Sequence, residues 1–476
     1  MNYHKSFTLP MALRFYNSLS QQLETFTPQD GKTVRMYTCG PTVYHYAHIG
    51  NLRTFTFQDI LRRWLRASGF ALNNVMNITD VEDKIIRAAM AQGKTLREYT
   101  AEYEEAFLED MATLRLERPE RVVRATEHID EMVDLIQQLG EKGYTYESDG
   151  STYYRISKFP EYGKLSHNDF GGMIAGARVD VDEYEKDDAR DFVLWKQKKE
   201  GEPSWNTPIG DGRPGWHIEC SAMAMKYLGA TLDIHAGGID LQFPHHENEI
   251  AQSEAVTGKQ FAKFWLHAEH LIVEGQKMSK SLGNFYTLRD LLELGYAPET
   301  VRFLLESVPY RNKLNFTMDG VKAAATAIER LRNFELRLKT EKFAPESDAA
   351  SEERTAAAVV RFREAMDDDL NTAGALGVVF EFLRETNSAM DGGKFLTGNV
   401  ASAQALMGLF DSVFDVMRPT TVADGISDET VEALIAERVA AKKARNFTRA
   451  DEVRAELDAQ GIVLEDTKDG PRWKRK

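Results

Sequence analysis

Twice along this chain a buried-strand pattern runs straight into a helical one, and that alternation limits the fold more than any other feature. Residues 32–39 read as an apolar strand that ends at the turn Gly40-Pro41. The next segment carries Phe57, Ile60, Leu61, Trp64 and Leu65, the i, i+3, i+4 spacing of a helix with one core-facing stripe, and Gly69 stops it. A second strand over 72–79 follows at once, and another helix opens near Val81. The pattern returns with a helix over 220–228, a short strand over 231–235, a helix over 247–256 and a strand over 264–273. Strands joined by helical crossovers pair in parallel. The expected fold is therefore α/β, a Rossmann-type parallel sheet, with ligands beyond the carboxyl ends of its strands where the strand order reverses.

The rest of the chain is organised around that sheet. Its two halves are expected over 1–123 and 214–286, and residues 124–213, rich in Gly, Pro and charge clusters, read as an insertion at one sheet edge. From Thr287 the pattern is helical: Val321, Ile328, Leu331 and Phe334 mark one face, and Val378, Phe380, Phe382 and Leu383 belong to another helix. Polar breaks over 344–353 and 418–428 read as linkers, which leaves a helical domain over 287–418 and a small appendage over 426–476. A chain of 476 residues has room for this many domains.

Charge and cysteine usage narrow the function. The net charge of −15 argues against a protein that coats nucleic acid non-specifically. The average hides a basic end, because residues 438–476 hold 11 Lys or Arg against 7 Asp or Glu. No apolar run is long enough to span a bilayer, and Pro10 and Arg14 interrupt any signal-peptide core, so a cytoplasmic location is expected. The two cysteines, Cys39 and Cys220, lie far apart, and in a reducing compartment a ligand, a nucleophile or a plain buried thiol are open readings for each.

Two short motifs suggest a nucleotide site. Gly93-Lys94-Thr95 fails as a P-loop, since Ala88 stands where the first glycine belongs and a helix precedes it. His48-Ile49-Gly50-Asn51, by contrast, opens a helix just after the first strand, where unpaired N–H groups and the helix dipole favour a phosphate. Lys277-Met278-Ser279-Lys280-Ser281 follows the last strand and suits a mobile clamp on polyphosphate. Either stretch alone reads as an ordinary cap or charged turn. Together they resemble the two signatures of the class I aminoacyl-tRNA synthetases, with Asn51 in place of the second signature histidine.

Cys39, Cys220, His245 and Glu249 offer two thiolates, an imidazole and a carboxylate, a plausible tetrahedral zinc shell that their spacing alone does not settle. Residues 37–44, 77–84, 213–223, 233–249, 277–284, 367–372 and 461–466, with Trp473, are similar to the cysteinyl-tRNA synthetase family nearly end to end. That resemblance implies one zinc on those four residues, Mg²⁺ with ATP, and a cysteine pocket lined by Thr79 and Trp216. It puts His235 and Asp240 near the adenosine or ammonium group, and His48, Gly50, Asn51, Lys277 and Lys280 on the triphosphate. It directs tRNA(Cys) to the helical domain and the C-terminal region, with Asp451, Asp466 and Trp473 at the anticodon and Lys442 where some relatives have arginine.

The mechanism expected on this basis has zinc taking the substrate thiolate, because packing alone separates cysteine from serine by only ~10 to 200-fold. Glu249 is the ligand expected to loosen when the sulfur arrives. A monomer is expected. The rival enzyme is a ligase passing the same adenylate to an amino sugar, and the rival from another class is a non-catalytic binder. The basic C-terminal region speaks against the first, and intact His48 and Lys277–Ser281 motifs against the second.

Overall fold

The computed structural model describes residues 12–167, 190–419, 428–467 and 470–475, with Lys280, Asp428, Glu465, Thr467, Arg472, Lys474 and Arg475 described by their backbone only. The chain divides into two compact units, and Leu304–Gly320 and Arg361–Gly377 group with the first unit, which otherwise runs to Gly295.

The first unit is built on β1 (Thr33–Thr38), α1 (Ile49–Ala67), β2 (Ala71–Ile78), α2 (Asp83–Ala91), α3 (Leu96–Thr113), β3 (Arg121–Arg124), α4 (Ile129–Glu141), α5 (Trp216–Leu228), β4 (Leu232–Gly238), α6 (Glu247–Thr257) and β5 (Ala262–Ala268). The five strands form one parallel sheet in the order β5-β4-β1-β2-β3. The chain walks outward from β1 to β3 on one side and returns to β4 on the other. The strand order thus reverses between β1 and β4, the expected ligand position in such a sheet. Strand and helix readings on the first half stand, and Leu61, Trp64 and Leu65 are fully buried.

Three readings on the second half are corrected. The helix expected from 220 starts at Trp216, and the strand expected to end at 235 runs to Gly238. The single strand expected over 264–273 is two strands. β5 ends at Ala268, and Leu271–Val273 joins a different sheet with Gln276–Lys277 and Leu314–Phe316. The polar pair Glu269-His270 marks the break, where the Glu269 N–H leaves the ladder for the Tyr310 carbonyl at 2.8 Å.

The segment 124–213 springs from the edge strand β3, as its composition suggests. Its four strands, Thr145–Ser148, Ser151–Tyr154, Phe192–Gln197 and Gly212–Pro214, pair antiparallel in chain order, and residues 168–189 lie outside the described ones. Tyr154, Leu194 and Trp195 share a buried cluster with Tyr37, Val75 and Trp265 of the parallel sheet, so the insertion completes that sheet's core.

The boundary expected at 286 is not where the compact units divide. Arg53 of α1 donates to the carbonyls of Leu305, Val308 and Pro309, and Trp64 Nε1 donates to Asp367 Oδ1 at 3.0 Å. Those bonds tie 304–320 and 361–377 to α1.

The second unit is helical, and its helices include Met318–Thr340, Ala349–Asp367, Thr372–Asp391 and Val400–Phe414, two of which pass through the 361–377 segment of the first unit. Val321, Ile328, Leu331 and Phe334 are buried on one face, as their spacing requires. The linker read over 344–353 is shorter, because a helix begins at Ala349, and most of 418–428 lies outside the described residues. At the end, Asp428–Lys443 and Phe447–Ala459 pack with an antiparallel ribbon of Ile462–Thr467 and Gly470–Arg475 around Val431, Val453 and Leu457. No helix among the described residues is long and apolar enough to cross a membrane.

Candidate active site

The helix start comes first because it fixes the geometry of the phosphate motif. His48 Nδ1 accepts the Asn51 N–H at 3.1 Å, and Asn51 Oδ1 accepts the His48 N–H at 3.2 Å, a reciprocal cap. With Nδ1 committed as acceptor, a neutral His48 carries its proton on Nε2, which is left to donate. Burial lowers the His48 pKa, in keeping with a neutral ring. The cap also explains Gly50. A Cβ there would lie 3.0 Å from the His48 ring and 3.3 Å from Met278 Cε, so the glycine lets the imidazole fold over the first turn and the 277–281 loop approach it.

The two motifs meet by backbone pairing. His48 bridges Thr287, and the Ile49 N–H donates to the Tyr286 carbonyl at 2.9 Å. The loop itself is held lightly: Asn284 Oδ1 accepts the Ser279 N–H at 2.8 Å, while Lys277 is exposed. Lys280 opens a short 3-10 turn, and its side chain lies outside the described residues.

The candidate metal ligands converge at the carboxyl end of β1 and β4. Cys39 follows β1 and is tied to β4 by its N–H on the Ala236 carbonyl, 3.1 Å. Cys220 lies on α5, His245 in the turn entering α6 and Glu249 on α6. His245 sits before the regular helix rather than in it, yet the i, i+4 relation survives: His245 Nε2 is 3.2 Å from Glu249 Oε1 and 3.4 Å from Cys220 Sγ. All four ligand atoms lie within 4.8 Å of one another, and all four residues are buried. Two thiols, one imidazole nitrogen and one carboxylate oxygen at this separation fit a tetrahedral zinc shell.

A second set, Cys39, His235, His246 and Glu249, meets the same distance limit. It has one thiol in place of two and is the poorer match to a thiophilic metal. Both of its histidines touch other members of the set, and His246 Nε2 is 3.3 Å from Cys39 Sγ. His235 Nε2 is 2.9 Å from Glu249 Oε2, and His246 Nδ1 is 2.8 Å from His267 Nε2, whose Nδ1 is 2.7 Å from Ser18 Oγ. His217 Nδ1 lies 3.0 Å from His245 Nδ1, which leaves His245 Nε2 facing the thiols.

Electrostatics separate the two thiols. Burial pushes the Cys39 thiol well up, and Cys220 and Glu249 add to it. At Cys220 burial acts upward too, but the hydrogen bond from Cys39, with His245 beside it, holds the thiol down at about 6. His245 moves against its burial to about 10, through Cys220 and Glu249. Burial lowers His267 to about 3 and His246 well below its usual value, so both rings are neutral.

Residues 25–326 match the family of tRNA synthetases class I (C) catalytic domains, 361–418 the DALR domain and 426–473 the cysteinyl-tRNA ligase anticodon binding domain. The cysteine--tRNA ligase of Solibacter usitatus is 66% identical over 98% of this chain and all of that relative, and that of Koribacter versatilis 54% over the same shares. The chain belongs to the cysteine--tRNA ligase family. Its fold is also that of methionyl-tRNA synthetase from Mycobacterium tuberculosis, with a TM-score of 0.61 at 15% identity over 81% of this chain and 90% of that one.

Several residues read from the sequence of this cysteine--tRNA ligase family member have placements that spacing could not give. Trp216 opens α5 and lies over His245, with ring centroids 4.5 Å apart. Thr79 is buried, with its hydroxyl 3.0 Å from Glu219 Oε2. Asp240 is exposed just past β4, near His48. His235, expected near the adenosine or ammonium group, is fully buried, stacked on Trp265 at 4.4 Å and bonded to Glu249. In the C-terminal region Asp466 is gripped by Arg438 at 2.8 and 2.9 Å and by Lys442 at 2.8 Å, and Trp473 Nε1 donates to Glu432 at 2.6 Å. Asp451 is exposed.

Sequence reading passed over His267, Asn77, Glu219 and Phe447. His267 had no signal, being a single polar residue in an apolar stretch, and Asn77 and Glu219 lie in the family-like stretches 77–84 and 213–223, where nothing local sets them apart. Phe447 had one: it is an aromatic among Lys442, Lys443, Arg445 and Arg449, and it is 61% exposed.

Proposed function

We propose that this chain activates L-cysteine with ATP as cysteinyl-adenylate and transfers the cysteinyl group to tRNA(Cys), with one zinc ion held by Cys39, Cys220, His245 and Glu249. The observation that carries the reading is the buried two-thiol cluster at the reversal of strand order, in a chain aligned end to end with cysteine--tRNA ligases. The match of 426–473 to an anticodon-binding domain favours tRNA over an amino sugar as acceptor.

When bound, zinc supplies a thiophilic Lewis acid that holds a thiolate and has little affinity for a neutral hydroxyl. Around it, Cys220 is poised to ionise, and Glu249 offers Oε1 while His235 keeps Oε2. Trp216 and Thr79 line the amino-acid pocket. The cysteine carboxylate attacks the α-phosphate of ATP, taken as its Mg²⁺ complex, and pyrophosphate leaves. His48 Nε2 and the Gly50 N–H in the first turn of α1 take charge building on the phosphate oxygens, while Asn51 holds the His48 ring in place through the cap. Lys277 and Lys280 hold the departing pyrophosphate, and Asp240 lies toward the adenosine. A terminal ribose hydroxyl of the tRNA then takes the acyl group and AMP departs. Asp451, Asp466, Trp473 and the exposed ring of Phe447 are surfaces for unpaired anticodon bases, where carboxylates accept from base amino groups and rings stack. The reading carries with it a cytoplasmic monomer.

Charging of purified tRNA with cysteine, against serine and against an amino-sugar acceptor, tests the proposal on zinc-loaded protein. Cysteinyl-tRNA as the sole product supports it. Adenylate formation with an uncharged tRNA and a modified amino sugar refutes it.

A further inference from the structure

A line of buried hydrogen bonds runs from the turn after Cys39 to the residue before Cys220. The Gly40 N–H donates to Asn77 Oδ1 at 2.9 Å, which fixes the orientation of that amide. Asn77 Nδ2 must therefore be the donor to Thr79 Oγ1 at 3.1 Å. Glu219 Oε2 stands 3.0 Å on the other side of the same hydroxyl. The backbone of Thr79 is clamped as well: its N–H donates to the Pro41 carbonyl at 3.0 Å, and its carbonyl accepts the Val43 N–H at 3.1 Å. Gly40 permits the close approach, since a Cβ there would fall 1.7 Å from the Asn77 carbonyl oxygen. Asn77, Thr79 and Glu219 are each at most 2% exposed, and Glu219 Oε1 is buried with no hydrogen-bond partner among the described residues.

A threonine hydroxyl has one proton and two lone pairs. Here one lone pair is occupied by Asn77 and the proton is drawn toward Glu219. What remains for a ligand is a single lone pair, which can meet only a donor. Glu219 Oε1 beside it is a second buried polar atom without a hydrogen-bond partner among the described residues.

We infer that Glu219 is a positioning residue of the amino-acid pocket: it turns the Thr79 proton away from the substrate, so that Thr79 meets the ammonium group of cysteine as an acceptor. The inference rests on the reading of Thr79 as a pocket residue and deepens it by stating which group of the substrate it meets and what sets its polarity. Glutamine at 219 can offer an N–H to Thr79, which then turns its own proton into the pocket and opposes an ammonium.

The test compares two ligands that differ only in the ammonium group, cysteine and 3-mercaptopropionate. In cysteine-dependent ATP–pyrophosphate exchange, E219Q is expected to raise KM for cysteine about ten-fold or more, the scale of a lost charge-assisted hydrogen bond. The inhibition constant of 3-mercaptopropionate should stay within about two-fold of the parent's, because it never used that contact. Zinc content of the purified variant shows whether the cluster next to residue 219 is intact. Equal weakening of both ligands would make Glu219 a packing residue only and overturn the inference, as would no change in either. If E219Q does not retain zinc, T79V, which removes the hydroxyl at nearly constant volume, is read in the same two-ligand comparison with the same outcomes. A parent enzyme with no cysteine-dependent exchange would instead refute the proposed function.

Discussion

The buried Cys39–Cys220–His245–Glu249 cluster and the 277–281 loop, assigned to one site by the proposed function, are built by opposite means. Cys39, Cys220, His245 and Glu249 are sealed from solvent and oriented by a further ring of His217, His235 and His246. The loop exposes Lys277 and rests on few bonds, chiefly Ser279 to Asn284 and the approach of Met278 to Gly50. The difference follows from what each must do. Telling sulfur from oxygen needs fixed donors in a water-poor setting, where each contact counts for more. Holding pyrophosphate and then releasing it needs groups that can move.

The sharpest way to break this comparison is to remove a donor from the sealed part. Cys220→Ser should abolish stoichiometric zinc binding and lower cysteine activation by ~10³-fold or more, beyond the range for one preorganised hydrogen-bond donor. Metal analysis and pyrophosphate exchange measure the two effects. Full zinc occupancy with near-normal exchange would show that the cluster is not the ligand set.

Removing a charge from the open part should act differently. Lys277→Ala is expected to slow adenylate formation by ~10²-fold with zinc content unchanged. Stopped-flow measurement of a single turnover reads this directly, and a rate within a few-fold of the parent's would remove Lys277 from the pyrophosphate site.

How much of this division was legible in the sequence depended on whether a residue acts through its neighbours in the chain. The Rossmann-type sheet was readable because strand and helix periods are local, and so was the phosphate motif, whose cap joins residues three apart. The break at Glu269-His270 was not, since it depends on the Tyr310 carbonyl far along the chain. The four ligands were chemically plausible, but the choice of His245 over its neighbour His246 needs the fold. His246 gives its Nδ1 to His267, which spacing does not connect to it, while its Nε2 lies 3.3 Å from Cys39 Sγ. His235 was assigned near the substrate by resemblance, and its 2.9 Å contact with Glu249 is one that spacing could not give.

That contact sharpens the comparison at smaller scale. His235→Asn should leave Glu249 Oε2 without its partner and weaken zinc binding by ~10 to 100-fold, the range for residues that orient metal ligands. Competition with a chelator measures it. An unchanged zinc affinity would mean that Glu249 needs no holding.

The smallest effect expected is on stability. His267 has a folded pKa of about 3 against an ordinary value near 6.5, so between these values the unfolded chain binds a proton that the folded one refuses. Stability from this group is complete above about pH 6.5 and is lost as pH falls, by about 1.4 kcal/mol at pH 5.5. Urea unfolding at pH 7.5 and 5.5 should show that loss in the parent protein and a smaller one in His267→Gln.

The central claim is that the sealed cluster chooses the substrate by its sulfur. Pyrophosphate exchange on zinc-loaded enzyme with cysteine and with serine tests it most directly. The account predicts a preference for cysteine well above ~200-fold, the limit for packing alone, falling steeply in Cys220→Ser. Serine activated within that limit by the intact enzyme would contradict it.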